Sequence, residues 1–336
     1  MNGKQVIKRI LEHDNPPRIG FGFNDFDYSD FCWTPSRTFI NEKPNPYSRW
    51  GRHEELIELT GFSGEVKSDR YGNIYGRFNG LTKGECIRGA LTTWDDFELY
   101  TMPQLDANHG QRLKSFGLKE NNKFVLTAGC SVFSALRDAR LMSNALADTV
   151  LEPEMVIAFC DRIAEHELEA VKQLYETGID GAMFTDDWGT QDRTFISPDS
   201  FRELFKPAYK KIFDAYHDAG IKCILHSCGY NYEFIEDFID AGVDAFQFDQ
   251  PDVYPAETLA REFGTRVAFY SPVDIQKVLP TGDREYIERR TYEMLKCFKA
   301  CGGSWIAKDY PTYADIGVNP EWAKWAQDVI IANAAL

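Results

Sequence analysis

Four stretches in the second half of the chain read almost alike: Glu176-Thr177-Gly178-Ile179, Asp218-Ala219-Gly220-Ile221, Asp240-Ala241-Gly242-Val243 and Ala300-Cys301-Gly302-Gly303. Each follows an amphipathic stretch and precedes an apolar run. A glycine just past a helix, in the left-handed conformation, ends that helix and feeds the next strand. Helix, glycine, strand, repeated, is the pattern of a parallel sheet built from βαβ units. Strands are expected at 124–128, 181–185, 221–225, 243–248, 267–270 and 304–307, with helices at about 153–177, 198–219, 231–241, 255–263, 283–300 and 320–334. Residues 18–23 and a stretch near 86–93 bring the strand count to eight. An α/β fold of the (β/α)8 TIM-barrel type follows, with an open doubly wound sheet as the alternative.

The first part of the chain lacks this regularity. A short amphipathic helix (Val6, Ile7, Ile10, Leu11) stops at Pro16-Pro17. Residues 24–50 are rich in aromatics, prolines and asparagines without periodicity, and read as an ordered irregular loop. Residues 61–80 carry glycine turns between short alternating runs (Tyr71, Ile74, Tyr75, Phe78), the mark of a small β-hairpin insertion. Gly20-Phe21-Gly22 lacks the third glycine of a dinucleotide loop. Thr93-Trp94-Asp95-Asp96 reads as a helix start. The organisation expected is one domain over 1–336, irregular over 1–110 and built of βα units over 111–336.

With 52 acidic against 37 basic residues, the formal net charge is −15. Such a surface repels phosphate backbones and anionic headgroups, so nucleic acid and membrane surfaces are excluded as partners. A less acidic protein, or a second copy forming a homodimer, remains compatible. The N-terminus offers no apolar run to serve as a signal peptide, and no stretch approaches membrane-spanning length. Eight cysteines without a tight framework fit reduced thiols in a cytoplasmic protein.

In a barrel of this kind, chemistry sits where strands end. Ile221-Lys222-Cys223-Ile224-Leu225 runs directly into His226-Ser227-Cys228-Gly229. A strand has a period of two, so His226 and Cys228 share a side, and imidazole with thiolate is a donor pair that zinc prefers. Taken alone, the pair reads first as a hydrogen-bonded core histidine and a small buried thiol, and only its company along the chain favours a metal site. The other strand ends are polar too: Asp186-Asp187, Asp249-Gln250, Ser271, and Lys308-Asp309-Tyr310. Asp186 and Asp187 read as a metal ligand with its orienting neighbour, a base with its partner, or two solvated acids. The remaining histidines (His13, His53, His109, His166, His217) lie in polar or helical contexts and read as surface residues. Cys297 and Cys301 end a helix, at the opposite face of a barrel.

Three stretches, Phe184 to Gly189, Ile196 to Pro207 and Leu225 to Gly229, resemble the uroporphyrinogen decarboxylase superfamily, including its cobamide-dependent methyltransferases. The resemblance is best from about residue 105 to 325. It implies a (β/α)8 barrel with its site at the C-terminal mouth, and zinc on His226 and Cys228. The decarboxylases' arginine-rich N-terminal motif is not matched by Arg18, Arg37, Arg49 and Arg52, nor their final glycine–histidine pair by Asp309-Tyr310. Methyltransferases of the coenzyme M type add a cysteine from the last strand, where this chain has Asp309 or Tyr310. The resemblance thus implies an oxygen as third zinc ligand, Asp309 or one of Asp186 and Asp187, and a zinc-dependent methyltransferase of O-demethylase type. Such an enzyme moves a methyl group from a small donor, a phenyl methyl ether, to the cobalt of a corrinoid (cobalamin) held by a separate corrinoid protein. The uncommitted acid of Asp186 and Asp187, or Tyr310, is the expected proton donor. A decarboxylase-like lyase or a methylcorrinoid:thiol methyltransferase are the alternatives.

Overall fold

Side-chain alternation in eight short strands divides the molecule into an inner and an outer core. In the computed structural model, which describes residues 1–39, 45–78, 80 and 83–336, these strands are β1 (Gly20–Gly22), β2 (Phe31–Trp33), β3 (Phe124–Ala128), β4 (Gly181–Thr185), β5 (Lys222–His226), β6 (Ala245–Gln247), β7 (Ala268–Ser271) and β8 (Trp305–Lys308). Their order in one sheet is β1-β8-β7-β6-β5-β4-β3-β2, and every ladder in it is parallel. The sheet curls into a nearly closed (β/α)8 barrel. Asp30 bridges the seam between β1 and β2: its amide donates to Phe21 O (2.7 Å) and its carboxylate accepts the Phe21 amide (2.8 Å). Arg18 grips the same carboxylate with two nitrogens.

One face of the strands points inward. Phe124, Leu126, Ile224, Ala245, Ala268 and Ile306 form the inner core. The helix Gly3–Leu11 plugs its lower end with Val6, Ile7, Ile10 and Leu11, at the spacing its sequence dictates. The other face packs under the helices, where Val125, Ala182, Cys223, Leu225 and Phe246 join the larger outer core. The next inward position after Ile224, Ala245 and Ile306 is no longer apolar: it is His226, Gln247 and Lys308. The barrel interior therefore turns polar at its C-terminal mouth.

The glycines of the four helix–glycine–strand stretches, Gly178, Gly220, Gly242 and Gly302, all lie at positive φ. Helices run Pro153–Lys172, Pro198–Leu204, Lys206–Asp218, Ile235–Ala241, Ala256–Phe263, Arg284–Ala300 and Pro320–Ala332. The first part of the chain departs from expectation. The stretch near 86–93 is not a barrel strand: Glu85–Arg88 is the third strand of an antiparallel sheet with Glu65–Ser68 and Ile74–Arg77. The barrel's second strand is Phe31–Trp33, inside the stretch read as irregular loop; residues 40–44 of that stretch lie outside the described residues. Three residues between Asp30 and Thr34 are too few for a period to show, and only pairing with β3 reveals the strand. Helices Phe133–Arg140 and Met142–Leu151 were also not expected; Leu141 between them sits at φ 65° and breaks their common period. Among the described residues no helix is long and apolar enough to cross a membrane.

Candidate metal centre at the barrel mouth

Beyond the mouth, the loops after β4 and β5 meet. The Asp186 amide donates to His226 O (2.9 Å), and the Tyr230 amide to Thr190 O (2.7 Å). Two glycines allow this approach. A Cβ on Gly229, at φ 78°, would fall 2.1 Å from Gly189 O, and one on Gly189 would fall 1.9 Å from Tyr230 O. With no side chain at either position the backbones pass in contact, and Asp187 is laid against His226 and Cys228.

The outcome is one oxygen, one nitrogen and one sulfur donor within 4.8 Å of one another, from Asp187, His226 and Cys228. His226 Nε2 stands 3.4 Å from Cys228 Sγ and 3.6 Å from Asp187 Oδ1. The Cys228 amide donates to Asp187 Oδ1 at 2.7 Å. The His226 side chain is 15% exposed and that of Asp187 40%, so the group opens on one side. Burial, reinforced by the charges of Asp187 and Asp249 and only partly offset by Lys308, pushes the Cys228 thiol up to about 12. A divalent cation would reverse that balance. Three protein donors of these types and an open fourth side fit a zinc-like ion.

The expected site residues separate. Asp187, His226 and Cys228 come together; Asp186 and Asp309 do not join them. Asp186 is fully buried, its carboxylate accepting the amides of Val132 (2.7 Å), Phe133 (3.3 Å) and Ser134 (2.6 Å) and the Tyr209 hydroxyl (2.7 Å). It caps the start of helix Phe133–Arg140, with all four of these partners on its carboxylate. Burial raises its pKa against the pull of those hydrogen bonds. Asp309 accepts the Asn24 amide (2.8 Å) and the Tyr313 hydroxyl (3.2 Å), tying the end of β8 to the end of β1, outside the three-donor group. Tyr310 lies half-buried at the mouth; burial first, then the charges of Asp249 and Cys228, raises its pKa.

Gln247, inside a strand run, had no distinguishing signal in the sequence, unlike Asp249 and Lys308 at the polar strand ends. The His226 ring meets Gln247 Oε1 at 2.5 Å through Nδ1, and Lys308 is paired with Asp249 at 2.6 Å. His109, read as a surface residue, is buried. Cys297 and Cys301 do lie at the opposite end, in the helix that leads into β8 and just past it.

A cavity of about 420 Å³ lies one strand away, where the loop after β3 faces the antiparallel sheet. Phe39, Tyr71, Tyr75 and Tyr100 line it together with residues 128–131 and charged groups that include Arg37, Asp138 and Glu167, and none of the three donors does. It adjoins them through the wall: the Ser131 hydroxyl donates to Thr185 O, at the end of β4 (2.7 Å).

Residues 124–308 match the family profile of uroporphyrinogen decarboxylase (URO-D). Curated protein sequences give no match. Among solved structures, a methyltransferase from Methanosarcina mazei superposes with a TM-score of 0.65 at 15% identity, covering 99% of each chain. A D-psicose 3-epimerase from Clostridium cellulolyticum H10, solved with D-tagatose, gives a TM-score of 0.41 at 13% identity over 71% of this chain and 85% of the other. The first likeness shows the shared fold; the second is too remote to argue from.

Proposed function

The chain belongs to the uroporphyrinogen decarboxylase family, and from that premise we propose that it is a zinc-dependent methyltransferase, taking a methyl group from a phenyl methyl ether and delivering it to a corrinoid protein. The observation that carries the reading is the Asp187–His226–Cys228 group at the mouth. Bound by these three residues, zinc would act as a Lewis acid on the ether oxygen. In the transfer, the methyl carbon's bond to oxygen breaks with its electron pair staying on oxygen. A reduced corrinoid on the partner protein would supply the electron pair that takes up the methyl carbon. The freed phenolate would take a proton from the Tyr310 hydroxyl at the mouth, which would recover it from water. The cavity beside the mouth, with Phe39, Tyr71, Tyr75 and Tyr100 in its wall, is of a size to hold the donor's ring.

A decarboxylase reading needs arginines free to grip substrate carboxylates. Arg18 is engaged by Asp30, and Arg37 by Glu167 through two contacts at 2.5 and 2.6 Å and by the Tyr216 hydroxyl. Both are spent within the fold. The test is incubation with a reduced corrinoid protein and a methyl aryl ether, with corrinoid methylation followed by absorbance. Methylation that requires this protein supports the reading. Formation of coproporphyrinogen from uroporphyrinogen, without methyl transfer, overturns it.

A further inference from the structure

We propose that Gln247, Asp249 and Lys308 form a positioning chain that fixes which nitrogen of His226 faces the metal centre. The inference rests on the metal reading of the site. An imidazole can ligate only through an unprotonated nitrogen, and in the neutral ring the other nitrogen holds the proton. Here the Nδ1 neighbour is Gln247 Oε1 at 2.5 Å, and a carbonyl oxygen only accepts. Nδ1 therefore carries the proton, and the Nε2 lone pair points at Cys228 Sγ and Asp187 Oδ1.

The amide of Gln247 is not free to choose. Its Nε2 donates to Asp249 Oδ1 at 2.7 Å, and a carboxylate offers only acceptors. Were the amide turned over, its NH2 would face Nδ1 and its oxygen would face a carboxylate. That would move the ring proton to Nε2, into the metal centre. Asp249 is in turn held by Lys308, whose Nζ lies 2.6 Å from the same Oδ1, with side chains 9% and 10% exposed. The ammonium donates to this oxygen at that distance, so the carboxylate meets donors from both Lys308 and the Gln247 amide. The chain crosses the mouth from β8 to β5, along inward positions that in the layer below are apolar. Buried polar groups in that position have a bland role as hydrogen-bonded filler; what sets this set apart is its direction, ending on the nitrogen opposite the proposed ligand.

The test uses the full chain, first without metal. Long-range 1H–15N correlation of the histidine rings should show His226 protonated on Nδ1. Gln247→Met, similar in volume but unable to hold the proton there, should abolish that single tautomer. It should also weaken zinc binding roughly ten- to a hundredfold, read by competition with a chromophoric chelator. Gln247→Glu restores an acceptor and should return affinity to within a few-fold of the parent, whereas a role in stability alone would leave the tautomer unmoved in Gln247→Met. A wild-type ring protonated on Nε2, or a folded Gln247→Met with unchanged tautomer and affinity, overturns the proposal. Should Gln247→Met not fold, Asp249→Asn, which lets the amide turn over, gives the same two readouts. A wild-type protein that binds no zinc while showing the Nδ1 proton would sink the metal reading and leave the orienting chain standing.

Discussion

Strand β5 carries a histidine–cysteine–aspartate group at each of its ends, and the two differ in what already satisfies them. At the mouth are Asp187, His226 and Cys228; at the opposite face are His217, Cys223 and Asp244, each group with its ligand atoms within 4.8 Å of one another. Asp244 takes the His217 ring at 2.8 Å, the Lys222 ammonium at 3.0 Å and the Cys223 amide at 2.8 Å. Its cation is a lysine of the chain itself. Cys223 is wholly buried against helix Lys206–Asp218, and burial holds its thiol well above the usual range. At the mouth, the cysteine is half-buried and the one carboxylate is met by a backbone amide and an imidazole. Residue type is the same at both ends; an opening and an unmet need for positive charge exist at one.

The largest expected effect tests that contrast directly. Elemental analysis should find about one zinc per chain, lost in His226→Ala and in Cys228→Ser, with His217→Ala and Cys223→Ser unchanged. Metal lost from the second pair of variants would erase the distinction between the ends. Gly229→Ala should also empty the mouth, because its φ of 78° and the 2.1 Å approach to Gly189 O tolerate no side chain. A crystal structure of that variant with the loops undisturbed would refute the close-approach argument.

The neighbouring acids sharpen the comparison at a smaller scale. Asp186→Asn exchanges a buried acceptor of four hydrogen bonds for a group that also donates. It should cost about 2–4 kcal/mol in denaturant unfolding and leave metal affinity per folded molecule near normal. Asp187→Asn should do the reverse, weakening zinc at least about tenfold with stability within about 0.5 kcal/mol. Similar stability losses in both would mean that neither is a ligand.

The smallest effect concerns the far end and pH. Burial pushes the Asp244 carboxyl up, but the His217 hydrogen bond, the Cys223 amide and the Lys222 charge outweigh it, and the net shift is downward. A carboxylate depressed in the folded state contributes stability that is present above its unfolded pKa, near 3.9, and lost as pH falls through the folded value. Asp244→Asn should therefore flatten the loss of stability below about pH 4. An unchanged acid limb in urea titrations would show that the ion pair contributes nothing measurable.

Much of the barrel was legible because its signals are local. Gly178, Gly220, Gly242 and Gly302 mark helix ends whatever surrounds them, and runs such as Phe124 to Ala128 are strands by composition. Phe31–Trp33 was not legible, since three residues make a strand only by pairing with β3. The same limit applied to the site. The His226–Cys228 spacing announces a shared side from period two alone, so the sequence could nominate the pair.

Which carboxylate completes the pair was a different question, because Asp186 and Asp187 are adjacent and chemically identical. Strand alternation sends them to opposite sides: one lies buried under the helix at Val132 to Ser134, the other against Cys228. Asp309, equally suitable by type, is taken by Asn24 from the start of the chain. Residue types, periods and turn glycines were enough to give parallel βα units, a polar set of strand ends and a histidine–cysteine pair. The tertiary structure alone decided which polar groups were already satisfied. A donor is open or spent according to atoms within about 3 Å of it, and those atoms come from segments that the chain order keeps far apart.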